Sequence, residues 1–134
     1  MIKKIVIDGN DGTGKTFRVN LLRKMFPNIE IEDRGIFSDK TLDDNLFDYN
    51  KVSSINHRKN FVNSIEEQKD TLFIICDASV ETCQKRISER GDSLEEEYHN
   101  KKDLIKYRGR FMLLAELCSE LPNVMFVDTD EDLA

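Results

Sequence analysis

The residues best suited to chemistry lie near the start of the chain, in the stretch IVIDGNDGTGKT at residues 5–16. The spacing from Gly9 to Gly14, Lys15 and Thr16 matches the phosphate-binding pattern G-x-x-x-x-G-K-[ST]. Backbone N–H groups of such a loop surround an anionic phosphate, and the N-terminus of the following helix points at the same place. Lys15 would reach the β- and γ-phosphates, and Thr16 would offer its hydroxyl to Mg²⁺. The residues predicted to bind the nucleotide are Asn10, Asp11, Gly12, Thr13, Gly14, Lys15 and Thr16.

A second charged motif follows the stretch NIEIE, where Asp33 and Arg34 come at the predicted carboxyl end of a strand. Open α/β sheets bind ligands at that edge. A carboxylate there can hold Mg²⁺ or its waters, and an arginine can bind a second phosphate in bidentate fashion. On the dipeptide alone, an exposed ion pair that caps the strand is an equal alternative.

A third motif is CQKRISERGD, in which Arg86 and Arg90 lie four residues apart on a predicted helix, before a Gly-Asp-Ser turn. Phosphoryl transfer depends on positioning and charge neutralisation, so mobile arginines that close over the phosphates would serve it. Taken alone, the spacing favours a solvated helix face, with Arg90 paired to Glu89 or Glu95.

The motifs are set in an alternation of strands and helices, which predicts a parallel sheet with crossover helices. Strands are expected at residues 3–8, 29–33, 71–77 and 123–128, and helices at 15–26, 56–69, 80–90 and up to 121, the last interrupted near Gly109. The segment 36–54 is expected to be a loop with a short helix. The Ile/Glu alternation of the second strand indicates an edge, and the apolar run TLFIICD indicates a central strand. The first helix is expected to bury Phe17, Leu21, Leu22 and Met25.

The predicted fold class is therefore α/β, a three-layer P-loop NTPase-type fold with a short parallel sheet of about four strands in the order 2-1-3-4. Residues 1–134 are expected to form one such domain. The net charge of −6 argues against a surface that coats nucleic acid, so any basic site must be local. Three cysteines without a C-x-x-C pair indicate a reduced, cytoplasmic setting with buried thiols. The opening MIKKIVI is too short an apolar run for a signal peptide or a membrane span.

Taken together, the three motifs resemble the thymidylate kinase family of P-loop kinases. The family segment E-G-x-D-G-x-G-K-[ST] is similar to residues 8–16, with the shorter Asp8 as the acidic residue. Its D-R-Y-x-x-S is similar to Asp33, Arg34 and Ser38, with Gly35 in place of the tyrosine. Its R-x-x-x-R-G is similar to residues 86–91. The ending VDTDEDL is similar to the loop that passes the adenine ring in relatives, which implies a nucleotide contact for Thr129.

The resemblance implies a magnesium-dependent kinase that transfers the ATP γ-phosphoryl group to a small nucleotide, with a deoxynucleoside monophosphate, thymidylate first, as the acceptor. A homodimer is compatible with it. The implied catalytic residues are Lys15, Asp33, Arg34, Arg86 and Arg90. The implied metal ligands are Thr16 and Asp33. The implied acceptor contacts are Asp8, Asp11 at the sugar, Arg34 and Ser38.

The sequence also departs from the family, because relatives place a further strand and two helices between the first helix and the D-R motif. The acceptor pocket must then be rebuilt from residues 36–62. The rings available there are Phe37, Phe47, Tyr49, His57 and Phe61, each of which fits the core or the surface better than a stacking position.

Three other functions stay open at this point. The D-G-N of Asp8 to Asn10 is similar to the E-G-N of deoxynucleoside kinases, which would make Asp8 a catalytic base for a nucleoside hydroxyl. A nucleotide-binding module without catalysis is a second alternative. A small GTPase is the third, because NKKDL at residues 100–104 matches N-K-x-D. That match follows LEEEYH instead of an apolar strand, and no D-x-x-G ends a strand, so it is interpreted as chance.

Overall fold

The computed structural model describes residues 1–48 and 51–130. Its centre is a parallel four-stranded sheet in the order β2-β1-β3-β4, as the sequence predicts. The strands are β1 (Lys4–Gly9), β2 (Glu30–Asp33), β3 (Thr71–Asp77) and β4 (Val124–Asp128). Because β1 lies between β2 and β3, the loop that follows β1 leaves from the middle of the edge where such sheets bind ligands.

Five α-helices and a short 3₁₀ helix flank this sheet in the described residues. Helix α1 covers one face, where Val19 packs with Ile5, Ile7 and Ile31. Three helices, α2, α3 and α5, cover the other face, and α4 packs against α5. The predicted three-layer α/β fold is therefore confirmed. The helices are α1 (Lys15–Met25), α2 (Ile36–Thr41), α3 (Val52–Glu67), α4 (Val80–Glu89) and α5 (Lys101–Leu117), and the 3₁₀ helix is Asp44–Phe47.

Aromatic rings form much of the larger core, beneath α2, α3 and α5. The ring of Phe37 meets that of Phe61 edge-on at 5.1 Å and that of Phe73 at 5.7 Å. Phe47 lies under the guanidinium of Arg110, at 4.5 Å. Phe37 and Phe61, two of the five rings considered for the acceptor pocket, are thus core residues, and Phe47 packs against the same core. Of the other two candidates, His57 is exposed on α3, and Tyr49 lies outside the described residues.

The predicted buried face of α1 is wrong for Phe17, Leu21 and Met25, whereas Leu22 packs against the core as expected. Val19 is the residue that packs on the sheet, with 1% of its surface exposed, whereas Phe17 and Met25 are 56% and 58% exposed. The physical reason is the phosphate loop, because Lys15 opens the helix and must turn inward to reach the loop. Val19 follows Lys15 by one helical turn and so shares its inward direction.

Three further predictions about the helices need correction. Helix α5 is continuous through Gly109, because a lone glycine costs only about 1 kcal/mol and the buried residues Leu104, Phe111 and Leu114 hold both halves to the core. It also ends at Leu117 instead of residue 121. Helix α3 begins four residues earlier than expected, where the Ser54 hydroxyl donates to the carbonyl of Asn45.

The edge position of β2, the central position of β3 and the buried, unpaired state of Cys76, Cys83 and Cys118 agree with the sequence. No helix within residues 1–48 and 51–130 has the length and apolar character needed to cross a bilayer.

Candidate active site

The phosphate loop connects β1 to α1, and it is fixed from three sides by hydrogen bonds. The Thr13 hydroxyl donates to the carbonyl of Asn10 at 2.7 Å, and Asn10 Nδ2 donates to the carbonyl of Leu104 in α5 at 2.8 Å. The hydroxyl of Thr129 donates to the carbonyl of Thr13 at 2.8 Å. These contacts tie the loop to α5 and to the segment after β4, while the N–H groups of residues 11–13 make short hydrogen bonds within the loop.

Gly12 shows why the loop needs a glycine at its tightest point. Its φ is +81°, and a Cβ atom there would lie 2.6 Å from the carbonyl oxygen of Cys83 in α4. Both the left-handed conformation and the close approach of α4 exclude a side chain. The glycine pattern therefore reflects contact with a neighbouring helix as well as room for a phosphate.

Thr129, for which the resemblance implies a nucleotide contact, lies behind the phosphate loop. The residue is fully buried, and its hydroxyl is directed at the carbonyls of Thr13 and Asp77. Because no part of it reaches the surface, the predicted direct contact with the nucleotide is replaced by a supporting contact behind the loop.

Lys15 lies at the start of α1 with 9% of its surface exposed, and its Nζ is 3.4 Å from the carbonyl of Gly9. Burial is the main reason why the pKa of Lys15 is lowered, and the charge of Arg34 adds to the shift. The carboxylate of Asp33 acts in the opposite direction. Thr16 is exposed beside it in the first turn. The predicted phosphate-binding cation and metal-binding hydroxyl thus lie together, near both members of the D-R motif.

Asp8 has a structural role that the sequence reasoning did not assign. The residue is 1% exposed, and its carboxylate accepts hydrogen bonds from the N–H groups of Gly35 at 2.7 Å and Phe37 at 3.2 Å. The Ser38 hydroxyl donates to the same carboxylate. Asp8 therefore holds the N-terminus of α2 across the end of β1. Burial and these three hydrogen bonds argue against the predicted acceptor contact of Asp8, because its oxygens are already engaged inside the protein.

Arg34 leaves the end of β2 in a left-handed conformation with φ +68°, and its N–H donates to the carbonyl of Ile7 at 2.9 Å. The next residue, Gly35, lies so close to Val6 that a Cβ atom would overlap the valine side chain. This packing explains why glycine stands where the thymidylate kinase pattern has tyrosine. Asp33 and Arg34 are both exposed at the ligand-binding edge, as predicted.

A cavity of about 290 Å³ opens between the phosphate loop, α2 and α5. Its polar lining includes Asp11 and Arg34, which the sequence predicts, and Asp39, which the sequence reasoning missed. Its apolar lining includes three rings that were also missed, Tyr98, Tyr107 and Phe111. Tyr107 and Phe111 lie one turn apart on α5, a spacing that could have marked a shared face. Ser38 also lines the cavity, although its hydroxyl is bound to Asp8.

The two arginines of the third motif lie in different surroundings. Arg86 donates to the carbonyl of Thr129 at 2.6 Å and to that of Gly12 at 3.3 Å, so it joins the phosphate loop to the segment after β4. Arg90 is the C-cap of α4 and binds the carboxylate of Asp11 at 2.8 Å. The side chain of Asp92 accepts a second bond from it.

Asp11 is the centre of a charged cluster with Arg90 and His99. One carboxylate oxygen, Oδ2, is 2.8 Å from Arg90 Nη2 and 2.6 Å from His99 Nε2. Burial alone would raise the pKa of Asp11, but the Arg90 hydrogen bond and the charges of Arg90 and His99 outweigh it, and the pKa is lowered. The sequence reasoning missed His99, because nothing local in LEEEYHN indicates a contact with residue 11.

The N-K-x-D match at residues 100–103 has a plain structural explanation. Asn100 is the N-cap of α5, and its Oδ1 accepts from the N–H of Asp103 at 2.8 Å. Its Nδ2 donates to the Asp103 carboxylate at 3.0 Å, which also accepts the N–H of Tyr98. Both side chains are therefore used in helix capping.

Neither a protein-family profile nor a curated protein sequence matches this chain. Among solved structures, the chain is similar to deoxyadenosine kinase from M. mycoides with bound dCTP, with a TM-score of 0.55 and 17% identity over 98% of this chain and 92% of that chain. It is also similar to deoxyadenosine kinase from M. mycoides with bound dATP, with a TM-score of 0.54 and 18% identity at the same coverage. The likeness establishes a P-loop kinase fold and does not single out thymidylate kinases.

Proposed function

We propose that this chain is an ATP-dependent phosphotransferase that phosphorylates a small nucleoside-type acceptor. The observation that carries the proposal is the position of the cavity, which opens beside the phosphate loop and is lined by Asp11 and Arg34. An acceptor in that cavity would lie next to the γ-phosphate of a nucleotide held by residues 10–16. Phosphoryl transfer needs that proximity more than it needs covalent chemistry from the protein.

Lys15 would neutralise charge on the transferring phosphoryl group, and its partly desolvated ammonium strengthens that interaction. Of the two arginines, Arg90 is the better candidate to close over the phosphates. Its present carboxylate partners are partly exposed, so leaving them costs about 0–1 kcal/mol. Arg86 would have to leave the carbonyl of the buried Thr129, and an unsatisfied buried acceptor costs about 1–3 kcal/mol.

Thr16 and Asp33 fit Mg²⁺ chemically, because each offers an exposed oxygen at the mouth of the loop. Within residues 1–48 and 51–130, no group of three or more His, Cys, Asp or Glu side chains could hold a metal by itself. This agrees with an ion held by one or two protein oxygens and the phosphates of its substrate. When bound, Mg²⁺ would neutralise charge between the β- and γ-phosphates.

Charge in the cavity favours a deoxynucleoside over its monophosphate as the acceptor. The lining contains the carboxylates of Asp11 and Asp39 beside the guanidinium of Arg34 and the ring of His99, so its positive charge is offset by negative charge. A monophosphate dianion needs several cations, whereas a neutral nucleoside needs hydrogen-bonding groups and an apolar wall. The structural likeness to a deoxyadenosine kinase supports the same choice. The preference for thymidylate that the motifs suggested is therefore reversed in this proposal.

A nucleoside hydroxyl needs a carboxylate base, and Asp33 is the better candidate for that role. Asp8 is buried and accepts three hydrogen bonds, two from backbone N–H groups and one from the Ser38 hydroxyl. Asp33 is exposed, and its charge acts on Lys15. In the proposed reaction Asp33 accepts the hydroxyl proton while the hydroxyl oxygen forms a bond to the γ-phosphorus. The bond from that phosphorus to the bridging oxygen of ATP breaks, and ADP leaves with the electron pair.

A monophosphate kinase is the second candidate, because Asp33, Arg34 and Ser38 keep the D-R-x-x-x-S spacing and Arg34 lines the cavity. Arg34 would then bind the acceptor phosphate in a charge-assisted pair worth about 1.5–3 kcal/mol. Under this candidate Asp33 would hold the metal or its waters.

The test is a panel of deoxynucleosides and their monophosphates, assayed for ATP- and Mg²⁺-dependent product with wild type and Arg34→Ala. We expect at least one deoxynucleoside to be used at least tenfold more efficiently than its monophosphate, with a KM that changes little in the variant. A better monophosphate, with an acceptor KM that rises far more than the KM for ATP in Arg34→Ala, supports the second candidate.

Lys59→Ala, a change at an exposed position of α3, is the control for loss of a positive charge. It should leave every rate in the panel unchanged. No product from any acceptor, with ATP binding retained, would contradict the catalytic proposal and favour a nucleotide-binding module.

A further inference from the structure

The segment of residues 91–100 connects α4 to α5 and crosses the mouth of the cavity. Its residues 91–98 are exposed, and its backbone hydrogen bonds are local, such as those from the N–H groups of His99 and Asn100 to the carbonyl of Glu96. Contact with the phosphate loop is therefore made by side chains. Within the segment, His99 makes that contact, with a side chain that is 15% exposed.

Both ring nitrogens of His99 face oxygens that can only accept hydrogen bonds. Nε2 lies 2.6 Å from Asp11 Oδ2, and Nδ1 lies 3.2 Å from the carbonyl oxygen of Ser93. A neutral imidazole has one N–H, so it can satisfy one of these oxygens and turns a lone pair toward the other. The imidazolium has two N–H groups and satisfies both. The two contacts can be hydrogen bonds at the same time only when the ring is protonated.

The charges around His99 come from three elements, which are the phosphate loop, α4 and the segment itself. Asp11 belongs to the phosphate loop, and Arg90 ends α4 with Nη2 at 3.4 Å from Nε2 of the ring. Glu96 lies within the segment, with a carboxylate oxygen 3.7 Å from Nδ1. Arg90 also binds the carboxylate of Asp92, so three carboxylates surround the two cationic groups when the ring is protonated. Loss of the ring proton leaves an excess of negative charge at the mouth of the cavity.

The next residue toward the cavity is Tyr98, whose position depends on the same segment. Its φ is +67°, its N–H donates to the carboxylate of Asp103 at 3.0 Å, and its ring lies 5.4 Å from that of Tyr107. Both rings line the cavity. Any movement of His99 away from Asp11 therefore moves one wall of the acceptor cavity.

We propose that His99 is a positioning residue that, in its protonated form, holds segment 91–100 on Asp11 and thereby closes the acceptor cavity. Deprotonation removes one of its two hydrogen bonds and releases the segment. The attachment of the segment then depends on the proton of this one ring. The expected change in the acceptor KM rests on the proposed kinase function, but the attachment of the segment to Asp11 does not.

Two measurements test the proposal, and the first requires no turnover. In ¹⁵N-labelled protein, the amide signals of residues 93–98 should shift with pH at the same midpoint as the ring signals of His99. His99→Gln, whose side-chain amide does not titrate, should abolish this shared transition. The chain has two histidines, and His57, exposed on α3, supplies the matched control: His57→Gln should leave the transition in place.

The second measurement is the acceptor KM across pH 5.5–8.5, with kcat recorded separately. In wild type the KM should rise about two- to fivefold above the midpoint, as expected for a partly exposed charged contact, while kcat changes less. His99→Lys, which stays charged, should keep the low KM throughout, and His99→Gln should show no step. Segment amides that do not follow His99, or that titrate equally in His99→Gln, would overturn the proposal even if the kinase activity is found.

Discussion

The phosphate loop and segment 91–100 face each other across one cavity, but they are held in opposite ways. The loop is fixed by buried hydrogen bonds from Asn10, Thr13 and Thr129. The segment is fixed by partly exposed side-chain contacts around Asp11. In the proposed function the two regions need different rigidity. The loop must be rigid because a phosphate binds to preorganised amides, whereas the segment must be able to move because the acceptor enters and leaves beside it. Substitutions in the phosphate loop should therefore change the catalytic rate and the free energy of unfolding more than substitutions in segment 91–100.

The largest effect is expected from Lys15→Ala. The change removes the buried cation of the loop, and loss of one preorganised group that stabilises transition-state charge typically lowers kcat about 10²–10³-fold. The rate of ATP-dependent product formation measures it, and circular dichroism checks that the fold is retained. Lys24→Ala, at an exposed position of the same helix, is the control. A rate within a few-fold of wild type would contradict the placement of the donor site.

A matched pair of glycines tests the difference in rigidity itself. Gly12 in the loop and Gly91 in the segment have similar φ values, +81° and +90°, but a Cβ atom would meet Cys83 at Gly12 and nothing within 4 Å at Gly91. Alanine at either site would have to adopt the left-handed backbone conformation, which costs about 1–2 kcal/mol for a residue with a Cβ atom. At Gly12, crowding against α4 adds about 1–3 kcal/mol.

Urea unfolding measures both changes in the free energy of unfolding. We expect Gly12→Ala to lose more stability than Gly91→Ala by at least about 1 kcal/mol. Equal losses would mean that the loop tolerates the neighbouring helix better than its packing implies.

The smallest effect is expected at a third glycine, whose backbone conformation does not require glycine. Gly109 lies inside α5, without a positive φ and with nothing within 4 Å of its Cβ position. Gly109→Ala should therefore raise the free energy of unfolding by about 0.5–1 kcal/mol, because alanine restricts the unfolded chain. The same urea series measures it, and a loss of stability would indicate a close neighbour at this position.

The sequence predicted the sheet order and the loop because their signals are local. A continuous apolar run marks β3, an Ile/Glu alternation marks β2, and the glycine spacing marks the loop. The rotation of α1 could not be predicted by periodicity, because Phe17, Leu21 and Met25 also form a regular stripe. Only the inward turn of Lys15 decides between the two stripes, and this depends on tertiary contacts.

The candidate site was predicted less completely, for two physical reasons. Arg86 and Arg90 have the spacing of one helix face, but Arg90 is the C-cap, so the two guanidinium groups diverge to different partners. Asp39, His99 and Tyr107 come from three elements that meet only in the fold. No local pattern connects residue 99 with residue 11, and the contact between them appears only when α4 and α5 pack together.

The hydrogen bond between Thr13 and Thr129 joins residues 116 positions apart and has a consequence for biosynthesis. On the ribosome, β1, α1 and β2 emerge first and can pair locally, but β1 gains its second neighbour only when β3 has emerged. The loop receives its last support later still, when Thr129 follows β4 into place. A nascent chain that ends before Thr129 therefore carries the complete glycine-rich motif without the buried contact that supports it.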